Sequence, residues 1–386
     1  MEYTRILSKE LQDIFTEKKS KIIVIYGPRQ VGKTTLVTSF LKQCNKAQKI
    51  LAINGDDVQF HEIFSSQRLD RLSSLVKGYD ILFIDEAQKI DNIGINLKIL
   101  YDNFQQDLKI IVTGSSSLDL AGKIKEPLTG RTYTYQLYPL SFLELKKHYT
   151  NFELNNQLEE RLIFGSYPET LQIANHQDKI SYLNNLAADY LYKDVLNLVN
   201  IKYSNKIRDL LRLLALQLGS EVSYQELGSN LDMDRKTVEY YLGLLEKAFV
   251  IKKLYGFSRN LRKEVNKKPK IYFYDLGIRN ALIGNFNYLN ARNDRGALWE
   301  NFLLIERFKR NAYLKHYCNK YFWRTYTGAE LDYIEEYGGA LHGYEFKWQK
   351  TKKAPAAWLK TYQAEQASFE LINKDNFLEF ISELIR

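Results

Sequence analysis

Along this chain the apolar positions switch between two periods. Lys21 to Tyr26, Ile50 to Ile53, Asp80 to Ile84, Leu108 to Val112 and Thr132 to Leu137 are short β-rich runs separated by amphipathic stretches. That alternation predicts βα units, and runs apolar on both faces predict strands buried between two helical layers, hence a parallel sheet in an α/β fold. Residues 141–205 are helical by pattern and read as a lid or linker. Ser223-Tyr-Gln-Glu226 then has the spacing of a capping box, and Asp234 stands where a cap would start a longer helix through Lys247. Two helices joined by a short turn and followed by strand-like runs at Val250 to Tyr255 and Lys270 to Tyr274 predict a winged helix-turn-helix over 206–285. Over 286–386 the order reads helix, three strands, helix, strand, helix, with Gly338-Gly339 suited to a two-residue hairpin turn.

The chemistry begins where the first strand ends. Gly27-Pro28-Arg29-Gln30-Val31-Gly32-Lys33-Thr34-Thr35 is a strand-then-glycine loop of the kind that cradles nucleotide phosphates. Glycines let backbone N–H groups approach an anion where a Cβ would block them. Lys33 is expected to reach the β- and γ-phosphates and Thr34 to hold Mg²⁺. A second buried run, Ile81 to Ile84, ends in Asp85-Glu86, which places two carboxylates where open α/β sheets bind ligands. We assign Asp85 to the metal and Glu86 to the attacking water; on its own the pair could equally cap the next helix. A third run leads into Gly114-Ser-Ser-Ser117, making Thr113 and Ser115 candidate sensors, although a serine-rich turn explains them as well. Arg131 is a candidate arginine finger, acting within the chain or from a neighbouring subunit. The Asn-Lys-x-Asp motif of guanine recognition is absent from the sequence, so ATP is the expected nucleotide.

Length and charge refine this picture. A chain of 386 residues exceeds one ordinary core and is expected to form roughly two to four domains. Its composition, 45% hydrophobic and 26% charged, is that of an ordered globular protein. The net charge is +9, and eight basic residues against one acid fall between Ile251 and Lys270, so the wing is expected to meet DNA phosphates while Arg235, Lys236 and Thr237 enter a groove. The alternative is a winged helix that only packs between domains. Cys44 and Cys318 stand far apart with no partner at metal-ligand spacing, so neither a disulfide framework nor a zinc site is expected, and a cytoplasmic setting fits. No run has the length of a membrane span.

In the C-terminal hairpin, a turn at Gly338-Gly339 sets Tyr337 opposite Ala340, and counting back sets Asp332 opposite Glu345 and Glu330 opposite Lys347. Opposed carboxylates repel unless a positive charge lies between them, which a Mg²⁺ or Mn²⁺ ion would supply. Asp332 and Glu345 are then candidate ligands, Lys347 a candidate catalytic lysine and Glu300 a further acid. The competing reading pairs Glu330 with Lys347 as an ordinary cross-strand salt bridge.

The phosphate loop, Phe83-Ile-Asp-Glu-Ala-Gln88, Thr113-Gly-Ser-Ser-Ser-Leu118 and Leu128-Thr-Gly-Arg131 followed by Pro139-Leu-Ser-Phe142 resemble the prokaryotic AAA-superfamily ATPases that carry a winged helix and a nuclease-like C-terminal region. Gly165 to Glu169 and Tyr190 to Val195 are similar to further landmarks of that group. The resemblance implies an AAA core over 1–140, a lid or linker over 141–205, a winged helix over 206–285 and a restriction-endonuclease-like domain over 286–386. Taken together, the residue readings lead us to expect an ATPase coupled to DNA binding, with metal-dependent cleavage as a candidate output and homo-oligomers as a candidate assembly. The alternative output is a nucleotide-dependent signalling switch whose last domain recognises a partner without cutting.

Overall fold

In the computed structural model, which describes residues 3–16, 21–44, 47–115, 127–189, 204–258, 268–349 and 355–383, the first five strands form one sheet. They are β1 (Ile22–Tyr26), β2 (Ile50–Asn54), β3 (Ile81–Asp85), β4 (Lys109–Gly114) and β5 (Thr132–Gln136), in the order β2-β3-β4-β1-β5 and parallel throughout. Side chains alternate between two cores, as strand geometry demands. Ile23, Ile25 and Ile111 join Leu7, Leu11 and Phe40 on one face; Ile22, Val24, Leu82 and Ile84 meet Leu97 and Leu100 on the other. The expectation of burial on both faces holds for β1, β3 and β4. It is corrected for β2 and β5, which are largely half-exposed because each is an edge with one neighbour.

The strand order has a direct consequence. With β4 between β3 and β1, the carboxyl ends that carry Asp85-Glu86, Thr113-Gly114 and Gly27 to Thr34 lie side by side, where ligands of open sheets bind.

Helices follow at Phe142–Leu145, Asn151–Phe164, Pro168–Gln172 and His176–Asp189, the first two opened by reciprocal capping boxes at Ser141/Glu144 and Thr150/Glu153. The segment Tyr190 to Val195 lies outside the described residues. Next come Ser204–Leu216, Tyr224–Leu231 and Arg235–Lys247, the last capped by Asp234, whose carboxylate accepts from Thr237 N at 2.9 Å. Val238, Tyr241, Leu242, Leu244 and Leu245 form its buried face, as the helical spacing predicts.

A second sheet contains β6 (Ile251–Gly256), β7 (Lys270–Phe273), β8 (Asn319–Arg324), β9 (Glu330–Tyr337), β10 (Ala340–Phe346) and β11 (Ser368–Ile372) in the order β11-β10-β9-β8-β6-β7. The turn between β9 and β10 has Gly338 and Gly339 at φ 59° and 80°, and Tyr337 pairs with Ala340. β6 runs parallel to β8 through Tyr255–Tyr321 and Gly256–Phe322, so this sheet crosses the sequence boundary at residue 286.

The two sheets share one continuous apolar core that runs from Leu7 to Ile381. Tyr26 stacks on Phe249, Tyr138 on Tyr274, and Phe142 meets Phe302 edge-on at 4.9 Å. The helix Arg295–Tyr313 passes through this core with Glu306, Arg307, Lys309 and Arg310 all buried. Arg307 forms a bidentate pair with the equally buried Glu335, at 3.0 and 2.8 Å. Burial alone would raise the Glu335 pKa; Arg307 overrides it and holds the carboxyl at about 2. Unfolded, the group titrates near its usual ~4.3, so this stabilisation is complete above that pH and is lost as pH falls toward 2. Arg307→Met is expected to destabilise the chain by about 3–5 kcal/mol in urea unfolding at pH 7, because it strands a buried carboxylate. The penalty should shrink between pH 4 and 2; a penalty constant across that window contradicts the assignment.

Candidate functional site

The phosphate loop is shaped by close approach. A Cβ on Gly27 would meet the Leu137 carbonyl oxygen at 2.1 Å, so only glycine lets β1 turn beneath the segment after β5. Gln30 and Gly32 adopt left-handed conformations (φ 58° and 91°), and Gly32 starts the helix Lys33–Gln43, whose N-terminus favours negative charge. Lys33 is buried, and its ammonium donates to the carbonyls of Gly27 at 2.9 Å and Pro28 at 2.7 Å.

Sequence-distant oxygens meet beside it. Thr34 Oγ1 donates to Asp85 Oδ2 at 2.7 Å, and Thr113 Oγ1 donates to Asp85 Oδ1. A carboxylate bridged by two hydroxyls is a hard-oxygen donor set that suits Mg²⁺, with Thr34 and Asp85 placed to hold it. Glu86 sits at φ 49° in a left-handed conformation, uncommon for a residue with a side chain, and accepts from Gln88 Nε2 at 2.5 Å. Gln88 Nε2 also reaches Ser115 Oγ at 3.0 Å, so Glu86, Gln88 and Ser115 form one polar chain at the sheet edge. Gly55, after β2, is where the neighbouring strand leaves room: its N–H donates to Asp85 O at 2.7 Å, and a Cβ there would lie 2.4 Å from the Glu86 carbonyl oxygen.

Arg131 is placed elsewhere. It precedes β5 at the amino end of the sheet, where its carbonyl accepts from Ile22 N, and its guanidinium grips Asp102 at 2.8 and 3.3 Å. The length of β1, on the order of 15 Å, separates it from the loop. The within-chain finger is thereby corrected, and a finger role for Arg131 requires a neighbouring copy.

A cavity of about 1050 Å³ opens over the loop, lined by Arg29 to Thr35 and Glu86 and closed by two segments that the sequence reading left without chemistry. The first is the N-terminal stretch Tyr3, Thr4, Arg5 and Ser8. The second contributes Pro168, Glu169, Gln172, Tyr182 and Leu186, and Tyr182 OH donates to Gln30 Oε1 at 2.7 Å. Gly165 to Glu169 therefore ends at the cavity, although nothing in its local pattern carries a ligand signature.

The C-terminal candidates also converge, with a different outcome from the sequence expectation. Asp332, Glu345 and Glu300 are drawn into one buried region, but a lysine from β7 joins them: Lys270 Nζ lies 3.1 Å from Glu300 Oε1 and 3.9 Å from Asp332 Oδ1. Tyr272 OH donates to Glu300 at 2.6 Å, Phe346 N donates to Asp332 at 2.8 Å, and Lys347 pairs with Glu345 at 2.8 Å. Burial, with Glu300 adding to it, pushes the Asp332 carboxyl up to about 8. Glu330 stands 3.9 Å from Arg324 and Lys347 pairs with Glu345, so the competing reading of a Glu330–Lys347 salt bridge is not what the structure shows.

Part of the basic stretch between Ile251 and Lys270 is paired internally. Lys252 pairs with Glu246 at 3.1 Å, Lys253 N donates to the same carboxylate, and Lys270 is buried with Glu300; Lys268 is exposed. Arg259, Arg262, Lys263 and Lys267 lie outside the described residues. Arg235, Lys236, Glu239 and Tyr240, by contrast, form an exposed face at the start of their helix.

Cys318, read from sequence as having no metal-ligand neighbours, lies with His316 and Glu335 so that their ligand atoms are within 4.8 Å of one another. The His-x-Cys spacing before β8 was the available signal. Glu335 is committed to Arg307, Asn311 and Tyr333.

Residues 19–146 match the family model of an AAA domain. The parallel-sheet core is similar to an AAA-type P-loop domain. Residues 155–289 and 295–375 match two domains of unknown function, DUF8612 and DUF4143. An uncharacterized protein of Mycobacterium tuberculosis is 28% identical over 339 residues, covering 86% of this chain and 71% of its own. One from Methanocaldococcus jannaschii is 27% identical over 338 residues, covering 82% and 72%. Among solved structures, the Thermotoga maritima RuvB Holliday junction branch migration motor aligns with a TM-score of 0.33 at 14% identity, over 69% of this chain and 95% of that one, a likeness too slight to argue from. Among the described residues no helix is long and apolar enough to cross a membrane.

Gly55→Ala is expected to cost about 1–3 kcal/mol in urea unfolding, because its methyl group drives into the Asp85-Glu86 backbone of the AAA core. An unchanged midpoint shows that this backbone yields freely.

Proposed function

We propose that the chain is an ATP-hydrolysing AAA-type switch that couples nucleotide state to DNA binding. The observation that carries the first half is the meeting of Lys33, Thr34, Asp85 and Thr113 at adjacent strand ends, with Glu86 on the cavity wall. Loop amides and Lys33 bind the phosphates; Thr34 and Asp85 would hold a Mg²⁺ ion, which would supply charge neutralisation at the phosphates. Glu86 accepts a hydrogen bond from the attacking water and orients it, and the polar chain through Gln88 and Ser115 fixes the carboxylate. In this reading residues 1–140 are the ATPase domain, 141–205 the lid, 206–285 the winged helix and 286–386 a nuclease-like domain. Arg131 acts across a homo-oligomer contact.

Lys33→Ala is expected to reduce ATP affinity by at least about tenfold, and Glu86→Gln to retain binding while cutting turnover by roughly 10²-fold or more. Steady-state phosphate release and equilibrium nucleotide titration check both. Wild-type hydrolysis in either variant contradicts the assignment.

For DNA, the support is the exposed Arg235 and Lys236 at the start of a capped helix, with the charge of Lys252, Lys253 and Lys270 internally neutralised. Arg235→Ala/Lys236→Ala is expected to weaken duplex binding and to lower the slope of log affinity against log salt by about 2. An unchanged slope favours a helix used for packing alone.

For the last domain, one observation favours the non-cutting reading. Lys270, 3.1 Å from Glu300 and 3.9 Å from Asp332, and Lys347, 2.8 Å from Glu345, bring positive charge to the same acids that a divalent cation between Asp332 and Glu345 would join. DNA incubated with the full chain, ATP and Mn²⁺ should stay intact; cutting that disappears in Lys347→Ala contradicts this and restores Asp332, Glu345 and Lys347 as a catalytic set.

A further inference from the structure

Arg5 is a charged residue just ahead of the first helix, and it is buried, 7% exposed. All three of its guanidinium nitrogens are used, on four acceptors from four separate segments. Nε donates to Glu144 Oε1 at 2.8 Å, Nη1 to the Val31 carbonyl at 2.7 Å, and Nη2 to the Tyr138 carbonyl at 2.6 Å and to Tyr313 OH at 3.3 Å. Burial works against the charged form, but Glu144 and Tyr313 more than offset it, so the guanidinium stays ionised. Glu144 is equally committed: it also accepts from Ile6 N and closes its own helix cap through Ser141 N and Oγ.

The bond to Val31 bears on the phosphate loop. Val31 lies between two left-handed residues, Gln30 and Gly32, and its side chain is fully buried. A trans peptide plane sets its carbonyl and the following N–H on opposite sides. A Val31 carbonyl pinned to Arg5 therefore turns the Gly32 N–H away from the guanidinium and fixes the plane in one of its two senses. In a loop that works by aiming amides at an anion, that choice decides whether the Gly32 amide contributes.

The bond to Tyr313 reaches the other way. Tyr313 closes the helix Arg295–Tyr313, and its hydroxyl also accepts from Tyr138 N at 3.3 Å. The same helix receives Phe142 N on Glu306 at 2.7 Å, sends Lys309 to Leu140 O at 3.3 Å, and carries Glu300 among the buried charges at its other end.

We propose that Arg5 is a positioning residue for nucleotide binding: it holds the Val31–Gly32 peptide in its phosphate-accepting orientation, and its bond to Tyr313 makes that orientation depend on how the helix Arg295–Tyr313 is docked. This rests on the P-loop reading above. It gives the C-terminal part of the chain a route of influence on nucleotide affinity without touching the nucleotide.

The test uses the full chain, a fluorescent ATP analogue with Mg²⁺, steady-state hydrolysis, and a thermal melt of each variant. Arg5→Gln is expected to weaken binding about ten- to hundredfold, the loss typical of a charged hydrogen bond, with KM rising more than kcat falls. Arg5→Lys keeps the charge without the fork and should recover affinity only in part. Tyr313→Phe, which leaves the guanidinium and its bond to Glu144 in place, should weaken binding by roughly two- to fivefold. A cooperatively folded Arg5→Gln chain with wild-type affinity and KM overturns the proposal. Where Arg5→Gln gives no cooperative melt, wild-type affinity in both Arg5→Lys and Tyr313→Phe overturns it. Lys33→Ala separates the two layers: if the wild type binds, Lys33→Ala does not and the Arg5 variants bind normally, only the positioning role fails; if the wild type itself does not bind, the P-loop reading fails first.

Discussion

Several backbone amides can face one anion only when their peptide planes are turned the same way, and in this chain that turning is imposed from outside the loop. Leu137 O presses against Gly27, the Val31 carbonyl is drawn to Arg5, and Tyr182 holds the Gln30 side chain. Each constraint comes from a segment distant in sequence. The loop is thus a local motif whose working geometry is a property of the tertiary fold, and the order β2-β3-β4-β1-β5 completes it by setting Asp85 and Thr113 beside Thr34.

The same dependence explains what could be read in advance. The five parallel strands, the capped helix from Arg235, the turn at Gly338-Gly339 and the meeting of Thr34 with Asp85 follow from local rules: β-branched runs, cap spacing, glycine pairs and the habit of open sheets to bind at their carboxyl ends. Arg5, Glu169 and Tyr182 were not legible, because an isolated arginine or tyrosine carries no spacing signal and its role is created by partners 26 to 308 residues away in the case of Arg5. Arg131 misled for the converse reason. Its motif is local, but the direction of β5 puts it at the sheet end remote from the loop.

Charge in the second sheet was misjudged through one omitted neighbour. Counting along a hairpin drew Asp332 toward Glu345, yet the two strands beyond β8, β6 and then β7, belong to the preceding segment, and β7 brings Lys270. Like-charge repulsion in a buried site can be relieved by a metal or by an ammonium, and sequence alone does not choose between them. Here the lysine is also buried against Glu300 and does not add to the exposed charge of the stretch from Ile251 to Lys270, so the same residue bears on both the DNA reading and the metal reading. β6 pairs with β8, and one of the apolar cores runs from Leu7 to Ile381 across both sheets.

The central claim is that the loop Gly27–Thr34 grips the anionic tail of a nucleotide. Calorimetric titration of MgATP into the full-length chain tests it most directly: the account predicts one saturable site per chain with a dissociation constant below about 1 mM, and the absence of saturable binding at millimolar ATP and Mg²⁺ contradicts it.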